Sequence, residues 1–159
     1  MKRRTAIKQL FILAGGMVIA TSCTGDRSKA SIALSKVDFS KDDEDVLAEL
    51  VEAIIPETDS PGAKSLNLHL FVMKMVDDCH SPEDQKSFVA GLKKAKSLHG
   101  KSGSEILTYF SSLPKDDTFL AILKSRTIMG YQNSEYVMKN KVIYELVPGR
   151  YDGAVKVNS

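Results

Sequence analysis

The sequence predicts an all-α fold, a single small domain of five or six helices behind an export leader. Three observations carry that prediction. Apolar residues recur at helical spacing from Val46 to Ile55 and again from Leu66 to Val76. Two strong helix starts, Ser40-Lys-Asp-Asp43 and Ser81-Pro-Glu-Asp84, precede apolar runs. No stretch alternates with the period of a strand, and no internal repeat is present.

The chain has 159 residues, 43% of them hydrophobic and 26% charged, the mix of one ordinary globular domain. A disordered polyanion, a collagen-like chain and a polytopic membrane protein are thereby excluded. The net charge of +2 is unevenly spread. Lys2, Arg3, Arg4 and Lys8 stand in residues 1–22 with no acid among them, and the remaining 18 basic residues face 20 carboxylates. A body so balanced has no electrostatic reason to seek nucleic acid.

The basic start is followed by an eleven-residue apolar run, Leu10 to Ala20. That length suits the core of an export signal and falls short of the ~20 residues a spanning helix needs. Arg3-Arg4, with Ile7 and Lys8, resembles a twin-arginine signal, although Ala6 and Lys2 depart from the usual residues. Ala20-Thr-Ser-Cys23 resembles a lipobox with Ala in place of the commonest Leu. Cys23 is thus expected to be lipidated, with ordinary cleavage after Ser22 as the competitor. The division expected is a signal over 1–22, a tether over 23–39, and a helical domain over 40–159 whose tail begins at 147. The mature protein is expected outside the cytoplasm, membrane-anchored.

Within the domain, Ser40 caps a helix whose apolar face is Val46, Leu47, Leu50, Val51, Ile54 and Ile55, and Pro56 stops it. Its acids, Asp42 to Asp45 with Glu49 and Glu52, read as a solvated outer face. Thr58-Asp-Ser-Pro-Gly62 is a turn by composition. The next helix is apolar over a wide arc (Leu66, Leu68, Leu70, Val72, Met73, Met75, Val76) and is expected at the centre of the core. Ser81 and Pro82 open a third helix with Phe88, Val89 and Leu92 on its apolar face and Lys93, Lys94 and Lys96 at its end. A break over His99–Ser104 precedes a short helix at Ile106–Leu113. After Pro114 another begins near Phe119 and is expected to run to Met129, before Gly130. From Val147 the chain is turn-rich.

A search for catalytic chemistry finds little. Gly100-Lys-Ser102 resembles the end of a phosphate loop, but Ala95 stands where its first glycine belongs. No Cys-x-x-Cys-His, dinucleotide fingerprint or nucleophile elbow occurs. His69, Cys79, His80 and His99 lack metal-ligand spacing. His69 reads first as a hydrogen-bonded core histidine, and otherwise as a polar group facing a partner or its cofactor. Cys79 reads first as a buried, inert thiol, with a bridge to another chain as the alternative.

Four stretches carry a resemblance: Ile55-Pro-Glu-Thr-Asp-Ser-Pro-Gly-Ala-Lys64, His69-Leu-Phe-Val-Met-Lys-Met-Val-Asp-Asp-Cys-His80, Gly130-Tyr-Gln-Asn-Ser-Glu-Tyr-Val-Met-Lys-Asn140, and Tyr144-Glu-Leu-Val-Pro-Gly-Arg-Tyr-Asp-Gly153. With the leader, they resemble the gluconate 2-dehydrogenase subunit 3 family. The resemblance implies a small subunit, not catalytic alone, of a periplasmic, membrane-associated sugar or sugar-acid dehydrogenase. It implies no cofactor of its own, FAD in a glucose–methanol–choline-type large subunit, and haem c in a cytochrome c partner where one is present. Relatives accompany glucose-, gluconate- and glucoside 3-oxidising flavoproteins, so the substrate stays open. The residues expected at the partner interface are His69, Cys79, Tyr131, Glu135, Arg150 and Tyr151. The alternative is a stand-alone exported lipoprotein with a ligand-binding or envelope role.

Overall fold

The computed structural model describes residues 29–142 and Ala154. Helix α1 (Lys41–Ile54) is capped by Ser40, whose hydroxyl accepts from the Asp43 N–H while the Asp43 carboxylate accepts from the Ser40 N–H. This reciprocal box satisfies two of the N–H groups that a helix start leaves unpaired. Helix α2 (Leu68–Cys79) follows the left-handed Asn67, φ 54°. Helix α3 (Pro82–Ala95) starts at the expected Ser81 cap and leads into a 3-10 turn, Lys96–Leu98. Helix α4 (Gly103–Ser112) has its own capping box between Ser102 and Glu105. Helix α5 (Thr118–Gln132) is capped by Asp117, and the short α6 (Glu135–Asn140) by Ser134. Among the described residues no strand forms beyond the isolated antiparallel bridge between Lys29 and Ser40.

The expected all-α class is what the structure has. Helix α5 lies across both α2 and α3, and α1 packs against α4 and α2. Leu47, Leu50, Val51, Val72, Met73, Val76, Phe88 and Leu123 are fully enclosed. Helix α2 contributes Leu68, Val72, Met73 and Val76 to this core, the central position its wide apolar arc predicted.

Two expectations need correction. Gly130 does not end α5, which runs through it to Gln132. The glycine is there for packing: a Cβ at that position would sit 2.8 Å from the Phe71 ring. Gly91 on α3 has the same role, since a Cβ there would overlap the Phe119 side chain.

The second correction concerns residues 29–39, expected as part of a tether. They form an ordered strap on the helices. Val37 and Phe39 are buried, and Ala30, Ile32 and Leu34 pack against the core. The physical reason is Asp77. Its carboxylate, fully enclosed, accepts from the backbone N–H groups of Ser35 (2.8 Å), Lys36 (2.6 Å) and Val37 (2.9 Å). Burial raises the pKa of such a carboxyl, but the three backbone donors and Lys74 outweigh it and hold Asp77 at about 2. The leader, Cys23 and the tail from 147 lie outside the described residues.

Candidate interaction surface

Of the acids of α1 expected to form a solvated face, Asp42 is exposed and Asp45 half-exposed, but the other four have other work. Asp43 and Glu44 are buried. Glu44 accepts from the Ser31 N–H (2.6 Å), tying the strap to α1. Glu49 accepts from the Gly100 N–H (2.8 Å) and lies 3.3 Å from His99 Nδ1. Glu52 takes the Glu57 and Lys64 N–H groups, one on each oxygen (2.8 and 2.7 Å), and so closes the loop between α1 and α2. These carboxylates pin loops by satisfying backbone donors that the loops cannot pair themselves. Burial pushes the Asp43 and Glu44 pKa values up, but their hydrogen bonds, Ser40 and Lys96 for the first, Lys41 and Ser31 for the second, win and lower both.

The Gly100-Lys-Ser102 stretch is equally structural. Gly100 has φ +73° and donates to Glu49, while Ser102 caps α4. Among the described residues no cluster of three or more His, Cys, Asp or Glu side chains is arranged to hold a metal ion. No helix among them is long and apolar enough to cross a membrane.

Three of the four motif stretches meet at the start of α2. The Leu68 N–H donates to the Ala63 carbonyl (2.9 Å), joining the loop over 55–64 to the helix. Gly130 packs on Leu68 and Phe71, and the Tyr131 hydroxyl donates to Ser60 Oγ (3.3 Å). Tyr131, half-buried, therefore links the end of α5 to that loop. Beside it on α5, Ile128 (45% exposed) and Met129 (38%) present apolar side chains to solvent. Scattered exposed apolar residues are ordinary, but here two flank the convergence of three motifs. Sequence reasoning counted Met129 only as the end of a helix. The available signal was that α5 carries apolar residues on all sides, more than one core face can absorb.

The expected interface residues do not form one cluster. His69 and Cys79 stand ten residues apart on α2, about 15 Å along its axis. Cys79 is exposed, not the buried thiol first expected, and is the last residue of α2. Glu135, on α6, is exposed and paired with Lys139. Arg150 and Tyr151 lie outside the described residues. At the far end of the α2–α5 contact, Arg126 Nε donates to His80 Nε2 (3.0 Å).

His69 is buried at 8% exposure, and its Nδ1 has no hydrogen-bond partner, so it is a buried histidine whose Nδ1 lacks the bond expected. Burial depresses its pKa, against the opposing pull of Glu44 and Asp45 and with Lys41 and Lys64 assisting. The unfolded chain then takes up the proton first, so stability is complete above the unfolded value near 6.5 and falls as pH drops below it. The slope cannot exceed one proton, about 1.4 kcal/mol per pH unit. Urea midpoints at pH 7.5 and 5.5 should therefore separate more in the wild type than in His69→Gln. Equal separation would show that His69 does not titrate with folding.

Comparison with known proteins adds one match. Residues 41–108 match the family model described as Gluconate 2-dehydrogenase subunit 3. That match supports the family expected from the sequence, and it runs from the first residue of α1 into α4. It takes in the loop over 55–64, His69, Asp77 and Cys79, and ends before α5. Comparisons with the curated proteins and with the solved structures return no match.

Proposed function

We propose that the chain is the exported, non-catalytic small subunit of a membrane-associated, FAD-dependent sugar or sugar-acid dehydrogenase. The observation that carries this reading is the family match over 41–108, whose name describes a third subunit and so a multi-subunit enzyme. The disposition of polar groups agrees with an accessory role: Asp43, Glu44, Glu49, Glu52 and Asp77 are all engaged in holding backbone or neighbouring side chains. In this reading Arg3-Arg4 direct export, and the flavoprotein, a glucose–methanol–choline-type oxidoreductase, crosses the membrane bound to the subunit. Lipidated Cys23 then anchors the mature complex. FAD belongs to the large subunit, and haem c to a cytochrome c subunit where one is present.

The large subunit docks on the surface around Tyr131, Ile128 and Met129, with the tail stretch Pro148-Gly-Arg-Tyr-Asp-Gly153 as a second contact. Arg and Tyr are favoured at interface hot spots because each offers rigid area with fixed donors. Native affinity purification of the tagged full-length chain tests the reading. A larger, yellow partner with a flavin spectrum is expected, and the isolated chain should be colourless and inactive in dye reduction with gluconate or glucose. Recovery of the chain without a flavoprotein, or turnover by the chain alone, would overturn the proposal.

A further inference from the structure

We infer that the groove between residues 36–38 and α3 is the face the domain lays on an anionic phospholipid surface. The groove has a volume of about 530 Å³. Val37, Val89 and Ala90 give it an apolar lining, and Lys36, Lys86 and Lys93 stand exposed around it, with Asp38 as its one lining carboxylate. Among the described residues Lys41, Lys74, Lys96, Lys101 and Lys139 are held in ion pairs, and the other lysines, those of the groove included, are not. Lys36, Lys86 and Lys93 make no ion pair among the described residues. Their ammonium groups are therefore available to phosphate headgroups, and the lysine stems can lie along the apolar lining.

Chain length supplies the second argument, which rests on the reading of Cys23 as the lipidated residue. Five residues lie between Cys23 and Lys29, where the described structure begins, so six backbone steps join the two. Fully extended, six steps span at most about 21 Å. A domain of roughly a hundred residues has a radius of gyration near ~13 Å and is broader than that tether is long. Lys29 bridges to Ser40, and a second cavity lined by residues 29–34 shares Val37 and Asp38 with the groove. The anchored end of the chain thus emerges beside the lysine-rimmed groove, and a tether this short keeps that side towards the bilayer.

A lysine near an anionic surface contributes about fivefold in affinity, so three contribute roughly a hundredfold at low salt. The test uses the mature chain carrying Cys23→Ala, so that no acyl group holds it, and sedimentation with vesicles. Vesicles of phosphatidylcholine with about one-third phosphatidylglycerol should bind it, pure phosphatidylcholine should not, and binding should weaken with salt. Lys36→Gln with Lys86→Gln and Lys93→Gln should lose most of that binding. Lys64→Gln with Lys115→Gln and Lys141→Gln makes the same charge change at lysines that also make no ion pair among the described residues and do not line the groove, and should keep it. Equal losses in the two triple variants would reduce the effect to net charge and overturn the proposal. Unchanged vesicle binding with loss of flavoprotein co-purification would also overturn it, assigning the groove to a protein. The anchor is decided separately, by alkaline carbonate extraction of cells carrying wild type or Cys23→Ala. Retention of both would sink the lipid anchor while the vesicle result still judges the groove.

Discussion

Asp77→Asn is expected to destabilise the domain by about 2–4 kcal/mol at neutral pH, from the loss of charged hydrogen bonds and the stranding of buried donors. The carboxylate is fully enclosed and accepts three consecutive backbone N–H groups of the strap. An amide of the same shape keeps one accepting oxygen and turns an NH2 towards donors. At least one of the three strap N–H groups then loses its partner. The pH dependence makes the effect specific. Because the folded pKa lies at about 2, below the ordinary 3.8, the stabilisation is present above 3.8 and is lost as pH falls towards 2. Urea titrations of both proteins at pH 7 and pH 3 should show a large gap at the first and a smaller one at the second. Limited proteolysis within residues 29–39 should become faster in the variant. A neutral-pH midpoint equal to wild type would mean that Asp77 does not hold the strap.

The same residue shows why some of the molecule was readable in sequence and some was not. Helix starts were legible because they are local: Ser40 with Asp43, and Ser81 with Pro82, declare themselves within four residues. The central position of α2 was legible because its apolar arc was too wide for one exposed helix. The strap was not, since its apolar residues are sparse and its binding site lies some forty residues away in Asp77. An acid one position beyond Val76, and four beyond Met73, stands on the buried stripe itself, and that was the signal available. Gly130 misled for a related reason. Glycine near a helix end reads as a stop, whereas here Phe71 on another helix requires the missing side chain.

The candidate surface divides in the same way. Tyr131 was singled out from a motif, and the structure gives it a physical place against Ser60. Ile128 and Met129 were invisible as surface residues because exposure depends on which sides of α5 the other helices occupy. Helices α2 and α3 both cover α5, leaving one outward strip that sequence periodicity alone does not identify.

The largest loss from a single side chain is expected for Phe88→Ala, about 3–5 kcal/mol. Phe88 is completely enclosed and joins three elements. Its ring meets Phe39 of the strap edge-on, with centroids 6.3 Å apart and planes at 89°. On the other side it meets Phe119 of α5 at 5.2 Å and 51°. Phe119 in turn fills the space left by Gly91 on α3, so its ring has little freedom to move into the vacated volume. A cavity that cannot collapse carries the full penalty of lost contacts. Phe88→Leu, which retains more of the volume, should cost less than half as much. The chain contains no Trp, so denaturant unfolding is best followed by far-ultraviolet circular dichroism. The alanine variant should lower the midpoint without changing the slope, because the surface exposed on unfolding is little altered. A loss below about 1 kcal/mol, well under the range for a buried Phe, would mean that the strap, α3 and α5 do not share one core.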